Sequence, residues 1–187
     1  MASCALKKKV GAGCVVECNE AIRSFLNPGE KSQKVTGTTF FIGDRIMCTK
    51  NNHQLEGTRK EDGITICGIY NGDCAMILNY DDDEGVMQIE TDDGRLFDID
   101  SKDFDQFTLA YAITIHKSQG SEYKYVIMPF SMAHYTMLKR NILYTGITRA
   151  KKGIQLIAEP KAVNMAIQRA ADEKRYSDLK TRIKEFL

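Results

Sequence analysis

Between Tyr111 and Glu122 the chain reads Tyr111-Ala112-Ile113-Thr114-Ile115-His116-Lys117-Ser118-Gln119-Gly120-Ser121-Glu122. An apolar run delivers two hydroxyls, an imidazole, an ammonium and an amide in quick succession. Presented on a turn after a strand, at the carboxyl edge of a parallel sheet, such donors suit the phosphate oxygens of a nucleotide or of a nucleic-acid strand. Thr114 or Ser118 taken singly is equally well explained as a helix cap. The polar run as a whole, set between two apolar segments, points to a ligand.

A second chemical segment follows at Arg140-Asn141-Ile142-Leu143-Tyr144-Thr145-Gly146-Ile147-Thr148-Arg149-Ala150. On a helix, Asn141, Thr145 and Arg149 share one face, while Leu143, Ile147 and Ala150 share another. The polar face ends in an arginine whose planar guanidinium fits a two-donor grip on phosphoryl oxygens. Arg140, Lys151 and Lys152 read as a solvated surface. Gly146 costs roughly 1 kcal/mol inside a helix, which asks for close packing or a kink.

These segments need strands and helices to hold them. Beyond Phe107 the pattern alternates: strands over 109–113, 125–128 and 154–158, a turn into a short helix over 114–119 ended by Gly120, and helices over 136–150 and 161–170. Alternation of this kind predicts a mostly parallel sheet. An earlier helix is expected over 19–26. From Thr39 to Ile99 the texture differs, with short β-rich runs at 40–42, 45–48, 64–67, 75–78, 86–89 and 95–97. Asn71-Gly72-Asp73, Asp83-Glu84-Gly85 and Asp92-Asp93-Gly94 supply the positive-φ residues of tight hairpins. The polar stretch Asn51–Gly63 reads as a loop.

Charge divides the chain in the same places. The 187 residues carry 26 basic and 25 acidic side chains, for a net charge of +1. Residues 81–105 hold 11 acidic and 2 basic groups, whereas 106–187 hold 6 and 14. An acidic module between basic flanks fits a small barrel inserted into an α/β host domain. The six cysteines include no Cys-x-x-Cys pair, so free thiols in a reducing, cytoplasmic setting are expected and a zinc ribbon is not. No metal site is expected. Nothing approaches the roughly 20 apolar residues of a membrane span.

Thr114-Ile115-His116-Lys117-Ser118-Gln119-Gly120-Ser121-Glu122 resembles motif V of superfamily 1 helicases, and Leu143-Tyr144-Thr145-Gly146-Ile147-Thr148-Arg149-Ala150 resembles motif VI. The likeness is strongest to the RecD-like branch, similar to the exodeoxyribonuclease V alpha chain, and weaker to UvrD-like enzymes, in which an Ala-Lys-Gly ending is more common. It departs from the family at Ala75 and Leu6, where glycine and proline are usual.

The resemblance implies a RecA-like parallel-sheet domain made of residues 1–37 and 107–187, with an SH3-like barrel inserted at 38–106. It implies that Arg149 acts as a catalytic arginine finger on ATP, that Gly120 and Glu122 lie near the nucleotide, and that Thr114, His116, Lys117 and Ser118 face single-stranded DNA. ATP with Mg2+, DNA unwinding and 5′ to 3′ travel belong to the same implication. The chain contains no Gly-x-x-x-x-Gly-Lys-[Ser/Thr] sequence. It therefore reads as the C-terminal portion of a longer helicase whose first RecA-like domain lies upstream, with no nucleotide expected on this portion alone. The alternative is a non-catalytic nucleic-acid-binding module on a degenerate helicase scaffold.

Several features stay open to a second reading. Lys7-Lys8-Lys9 fits a solvated terminus, Asp81-Asp82-Asp83-Glu84 a solvated turn, and His134 with Tyr135 either packing or base stacking. If the barrel touches DNA, Arg45, Lys50 and Arg59 offer the face for it.

Overall fold

A computed structural model describes residues 2–4, 15–29 and 34–169 of the chain. The Lys7-Lys8-Lys9 run and the charged tail after Asp172 lie outside the described residues.

A parallel four-stranded sheet forms the host. Its strands are β1 (Ala2–Cys4), β9 (Ala112–Ile113), β10 (Tyr123–Phe130) and β11 (Ala150–Ala158), in the order β11-β10-β1-β9. Val126, Met128 and Phe130 alternate onto one face of β10 and are buried there beneath α2 (Arg140–Ile147) and α3 (Pro160–Gln168). α2 is shorter than expected from 136–150, because a separate 3₁₀ segment, Met132–Met137, precedes it and the helix ends before Thr148. Helix α1 (Val15–Leu26) is fastened to the edge strand by one side chain. Asn19 Nδ2 donates to the Ala112 carbonyl at 2.8 Å, and the Ala112 N–H donates back to Asn19 Oδ1 at 2.9 Å.

The inserted module is an antiparallel sheet with order β4-β3-β7-β6-β5-β2-β8, built from β2 (Arg45–Cys48), β3 (Asn52–Arg59), β4 (Thr65–Ile69), β5 (Cys74–Asp81), β6 (Val86–Thr91), β7 (Arg95–Asp100) and β8 (Phe107–Leu109). Ile69 at one end of the sheet and Phe107 at the other are buried in the same core with Ile77, Ile89 and Phe97, so the sheet curls around one apolar centre. Between Ile77 and Asn79 a bulge shifts the register of β5. Inward positions change parity there, from Ala75 and Ile77 to Tyr80. Gly72, Gly85 and Gly94 sit in turns with φ of +102°, +67° and +80°, as the hairpin sequences require.

Three sequence expectations are corrected. Asn51–Gly63 is largely strand β3, which pairs with β4 on one side and β7 on the other. Its side chains are mostly exposed, so no apolar alternation marks it, and backbone pairing alone makes it a strand. The run 40–42 forms only an isolated bridge between Lys34 and Phe41. The run 109–113 is divided: Phe107–Leu109 pairs with β2 in the barrel, and Ala112–Ile113 pairs with β1 in the host.

The two cores share a wall. Along β2, Ile46 and Cys48 point into the barrel, while Met47 between them is buried among the host residues Ile113, Ile115 and Met128. Cys48, Cys67 and Cys74 are free thiols, and burial pushes those of Cys48 and Cys74 up. No helix among the described residues is long and apolar enough to cross a membrane.

Candidate functional site

After Ile113 the chain makes a chain of hydrogen-bonded turns instead of the short helix expected over 114–119. The Ser118 N–H donates to the Thr114 carbonyl at 3.1 Å, Gln119 to His116 at 3.2 Å, and Ser121 to Ser118 at 3.1 Å. The Thr114 hydroxyl accepts from the Lys117 N–H at 3.2 Å. Gly120 closes the series at φ +85°, a conformation that costs other residues strain.

Ile115 is the anchor, 2 % exposed and packed in the host core. His116, Lys117 and Gln119 consequently face solvent. Ser118 faces inward: it is fully buried, and its hydroxyl donates to the Ile115 carbonyl at 2.7 Å. Its hydroxyl holds the turn, whereas His116 and Lys117 present free donors outward.

Arg149 is not on the helix. α2 stops at Ile147, and Thr148 caps it. The guanidinium folds back instead, with Nη1 donating to the Ser121 carbonyl at 3.0 Å, Nε to the Thr145 carbonyl at 3.3 Å and Nη2 to the Thr148 hydroxyl at 3.4 Å. The backbone reinforces the contact, since the Tyr123 N–H donates to the Arg149 carbonyl at 2.8 Å. Among the described residues no carboxylate lies within ion-pair distance of Arg149. Its three hydrogen-bond partners are all uncharged oxygens, and the guanidinium acts on the Glu122 carboxylate only through its charge, without an ion pair.

Glu122 and Lys151 are neighbours because Tyr123 pairs with Ala150. The Lys151 ammonium lies 2.9 Å from Glu122 Oε2, and that bond and charge hold the Glu122 carboxyl below the ordinary glutamate range. Lys151 stays solvated, as its sequence context implies, and strand register is what supplies its partner.

The two chemical segments are joined, but not at one sheet edge. Thr114, His116 and Lys117 follow the carboxyl end of β9, while Ser121, Glu122 and Arg149 cluster at the amino ends of β10 and β11. The turn series carries the chain from one edge to the other. At the amino edge a pocket of about 270 Å³ opens between Ser121–Tyr123 and the barrel turns around Asp73, Asp92 and Arg95.

The barrel's basic residues are already engaged. Arg45 is hydrogen-bonded to Asp92, Lys50 to Asp105 at 2.7 Å and Arg59 to Asp62 at 3.0 Å. Arg45, Lys50 and Arg59 thus each carry an acidic neighbour on the barrel surface. Among the described residues no three His, Cys, Asp or Glu side chains come together as a metal site.

Residues 18–90 match the family model of the SH3 domain of ATP-dependent RecD-like DNA helicases, and residues 109–157 match that of the UvrD-like helicase C-terminal domain. The two matches follow the order of the barrel and the motif-bearing sheet, the first reaching from within α1 into β6. This chain belongs with the RecD-like helicase C-terminal regions. The ATP-dependent RecD2 DNA helicase of Deinococcus radiodurans is 31% identical over 133 residues, 71% of this chain and 16% of that protein. The RecBCD enzyme subunit RecD of Mycobacterium tuberculosis is 28% identical over 157 residues, 84% of this chain and 24% of that subunit. This RecD-like chain thus spans less than a quarter of these relatives' lengths.

The fold is also that of solved helicases. A Bacteroides Pif1 helicase in complex with ADP-AlF3 and ssDNA aligns with a TM-score of 0.57 over 98% of this chain and 45% of its own, at 18% identity. The Candida albicans Pif1 helicase gives 0.53 over 100% and 50%, at 13% identity. At such identities the likeness is one of fold, a RecA-like sheet carrying an inserted barrel.

Proposed function

We propose that this RecD-like chain is the C-terminal portion of an ATP-dependent DNA helicase, made of the second RecA-like domain (1–37 and 107–187) and an inserted SH3-like barrel (38–106). The observation that carries the reading is Arg149, fixed to the Ser121 carbonyl with no carboxylate among the described residues in ion-pair contact. An anion can bind the guanidinium there without displacing an ion pair.

In this reading ATP with Mg2+ sits in a cleft of which the chain supplies one wall, and its hydrolysis powers travel along single-stranded DNA in the 5′ to 3′ direction. Arg149 stabilises charge on the transferred phosphoryl group. Gly120 and Glu122 border the nucleotide, with Glu122 held by Lys151. At the other edge His116 and Lys117 grip the phosphates of the strand, Thr114 shapes their turn from above, and Ser118 secures it from within. Because one run of turns spans both edges, a shift of Ser121 on nucleotide release is transmitted to His116 and Lys117. The upstream RecA-like domain is the necessary partner, and the cytoplasm is the compartment.

The test uses the purified chain. Single-stranded oligonucleotides of unrelated sequence should bind weakly, with similar affinities that fall steeply with salt, and the double substitution His116→Ala/Lys117→Ala should weaken all of them alike. ATP should not be hydrolysed by the chain alone. Salt-independent binding, or hydrolysis that Arg149→Ala abolishes, would overturn the reading.

A further inference from the structure

Two strands away from His116 and Lys117, at the same carboxyl edge, the chain leaves β10 through Ser131 and enters the 3₁₀ segment Met132–Met137. Neighbouring strands lie about 4.8 Å apart, so the β9 and β10 exits are separated by roughly 10 Å. Tyr135 stands on this second exit and is 53 % exposed.

An exposed tyrosine normally has a mobile ring and backbone, but this one is braced. Arg169 Nη1 donates to the Tyr135 carbonyl at 2.7 Å, and the same guanidinium lies 5.2 Å from the ring centroid. Arg169 is held in turn by its own backbone, with its N–H on the Met165 carbonyl at 2.9 Å and its carbonyl accepting from the Arg140 N–H at 3.1 Å. Ser131 caps the segment, its hydroxyl accepting from the Ala133 N–H at 3.2 Å. The ring is thus a preorganised flat surface with a cation over one face, and little freedom is lost when something stacks on the other.

We propose that Tyr135, braced by Arg169, is a stacking platform for a base of single-stranded DNA. This inference rests on the proposed grip of His116 and Lys117 on the same strand. The phosphates of an extended strand held at the β9 exit leave the neighbouring nucleotide within reach of the β10 exit. An aromatic face paired with an arginine accepts any base without reading its edge. Glu159, hydrogen-bonded to the Ser131 hydroxyl at 2.5 Å, is the acidic group of this exit and is turned toward the cap.

The experiment measures binding of this chain by fluorescence anisotropy to an oligothymidine and to an abasic oligonucleotide of equal length. Wild type should prefer the oligothymidine by about 5- to 100-fold, the range for one stacked base. Tyr135→Leu should remove that preference, whereas Tyr135→Phe and Tyr135→Trp should keep it. His116→Ala/Lys117→Ala should weaken binding to both oligonucleotides equally. If Tyr135→Leu retains the preference, or wild type shows none, while the double variant still loses affinity, the stacking platform is overturned and the phosphate grip stands. If the double variant binds as wild type does, the underlying reading falls and the platform with it. Should Tyr135→Leu fail to fold, the wild-type comparison of the two oligonucleotides decides alone.

Discussion

Tyr111 and Asp44 meet where the chain enters and leaves the barrel, the Tyr111 hydroxyl donating to Asp44 Oδ1 at 2.9 Å. Asp44 is fully buried and also accepts from Asn27 Nδ2 at 2.8 Å and from the Phe41 N–H at 2.9 Å, with Arg23 at 3.8 Å. One carboxyl group therefore ties helix α1, the first barrel residues and the return strand to a single point. The barrel's orientation over the host sheet depends on that point.

Tyr111→Phe should destabilise the chain by about 1–3 kcal/mol at neutral pH, the range for losing a hydrogen bond to a charged group. The loss should depend on pH. Burial, with Asp44 beside it, pushes the Tyr111 phenol up to about 12, whereas in the unfolded chain it ionises near 10. Its contribution is complete below pH 10 and disappears as pH rises through 12. Denaturant unfolding of both proteins at pH 8 and pH 11 should show the difference narrowing, and a constant difference would contradict the assignment.

Gly146 faces the host core, and a Cβ built on it meets Met128 Sδ at 2.4 Å. Met128 is fully buried, so its thioether can move aside only by displacing core neighbours. Gly146→Ala should therefore destabilise by about 1–3 kcal/mol in chemical unfolding, despite alanine's better helix propensity. Adding Met128→Ala should recover part of the loss.

Gly57 lies in β3, whose polar sequence alone has the character of a loop. A Cβ there meets the Leu96 carbonyl oxygen at 2.4 Å and Phe97 Cδ1 at 2.5 Å. Gly57→Val should push β3 off β7 and lower the melting temperature of the chain, and hydrogen exchange should rise first along β3 and β4. In a true loop the same substitution would pass unnoticed.

Arg149→Ala, made in a full-length helicase containing this chain, should reduce DNA-stimulated ATP hydrolysis by on the order of 10³ or more. The three hydrogen bonds of the guanidinium add a structural share of about 1 kcal/mol, visible as a small drop in thermal stability. Lysine, with no planar fork, should restore neither. A loss of rate that merely follows the melting temperature across the Ala and Lys variants would make Arg149 a structural residue.

The division between what was legible in the sequence and what was not follows the range of the forces involved. The hairpin turns at Gly72, Gly85 and Gly94, the parallel α/β pattern after residue 109 and the two helicase-like motifs were determined locally, by residues whose φ preference, apolar spacing or donor chemistry acts within a few positions. The nature of Asn52–Arg59 was not, because a polar strand is defined by its partners, here 7 to 40 residues away. Burial of Ser118, engagement of Arg45 with Asp92, and capture of Arg149 by the Ser121 carbonyl were likewise decided by the tertiary structure. A side chain's type sets what it can donate or accept, but only packing sets which partner is within 3 Å. The strands that bring those partners together are held in register by contacts across the whole chain.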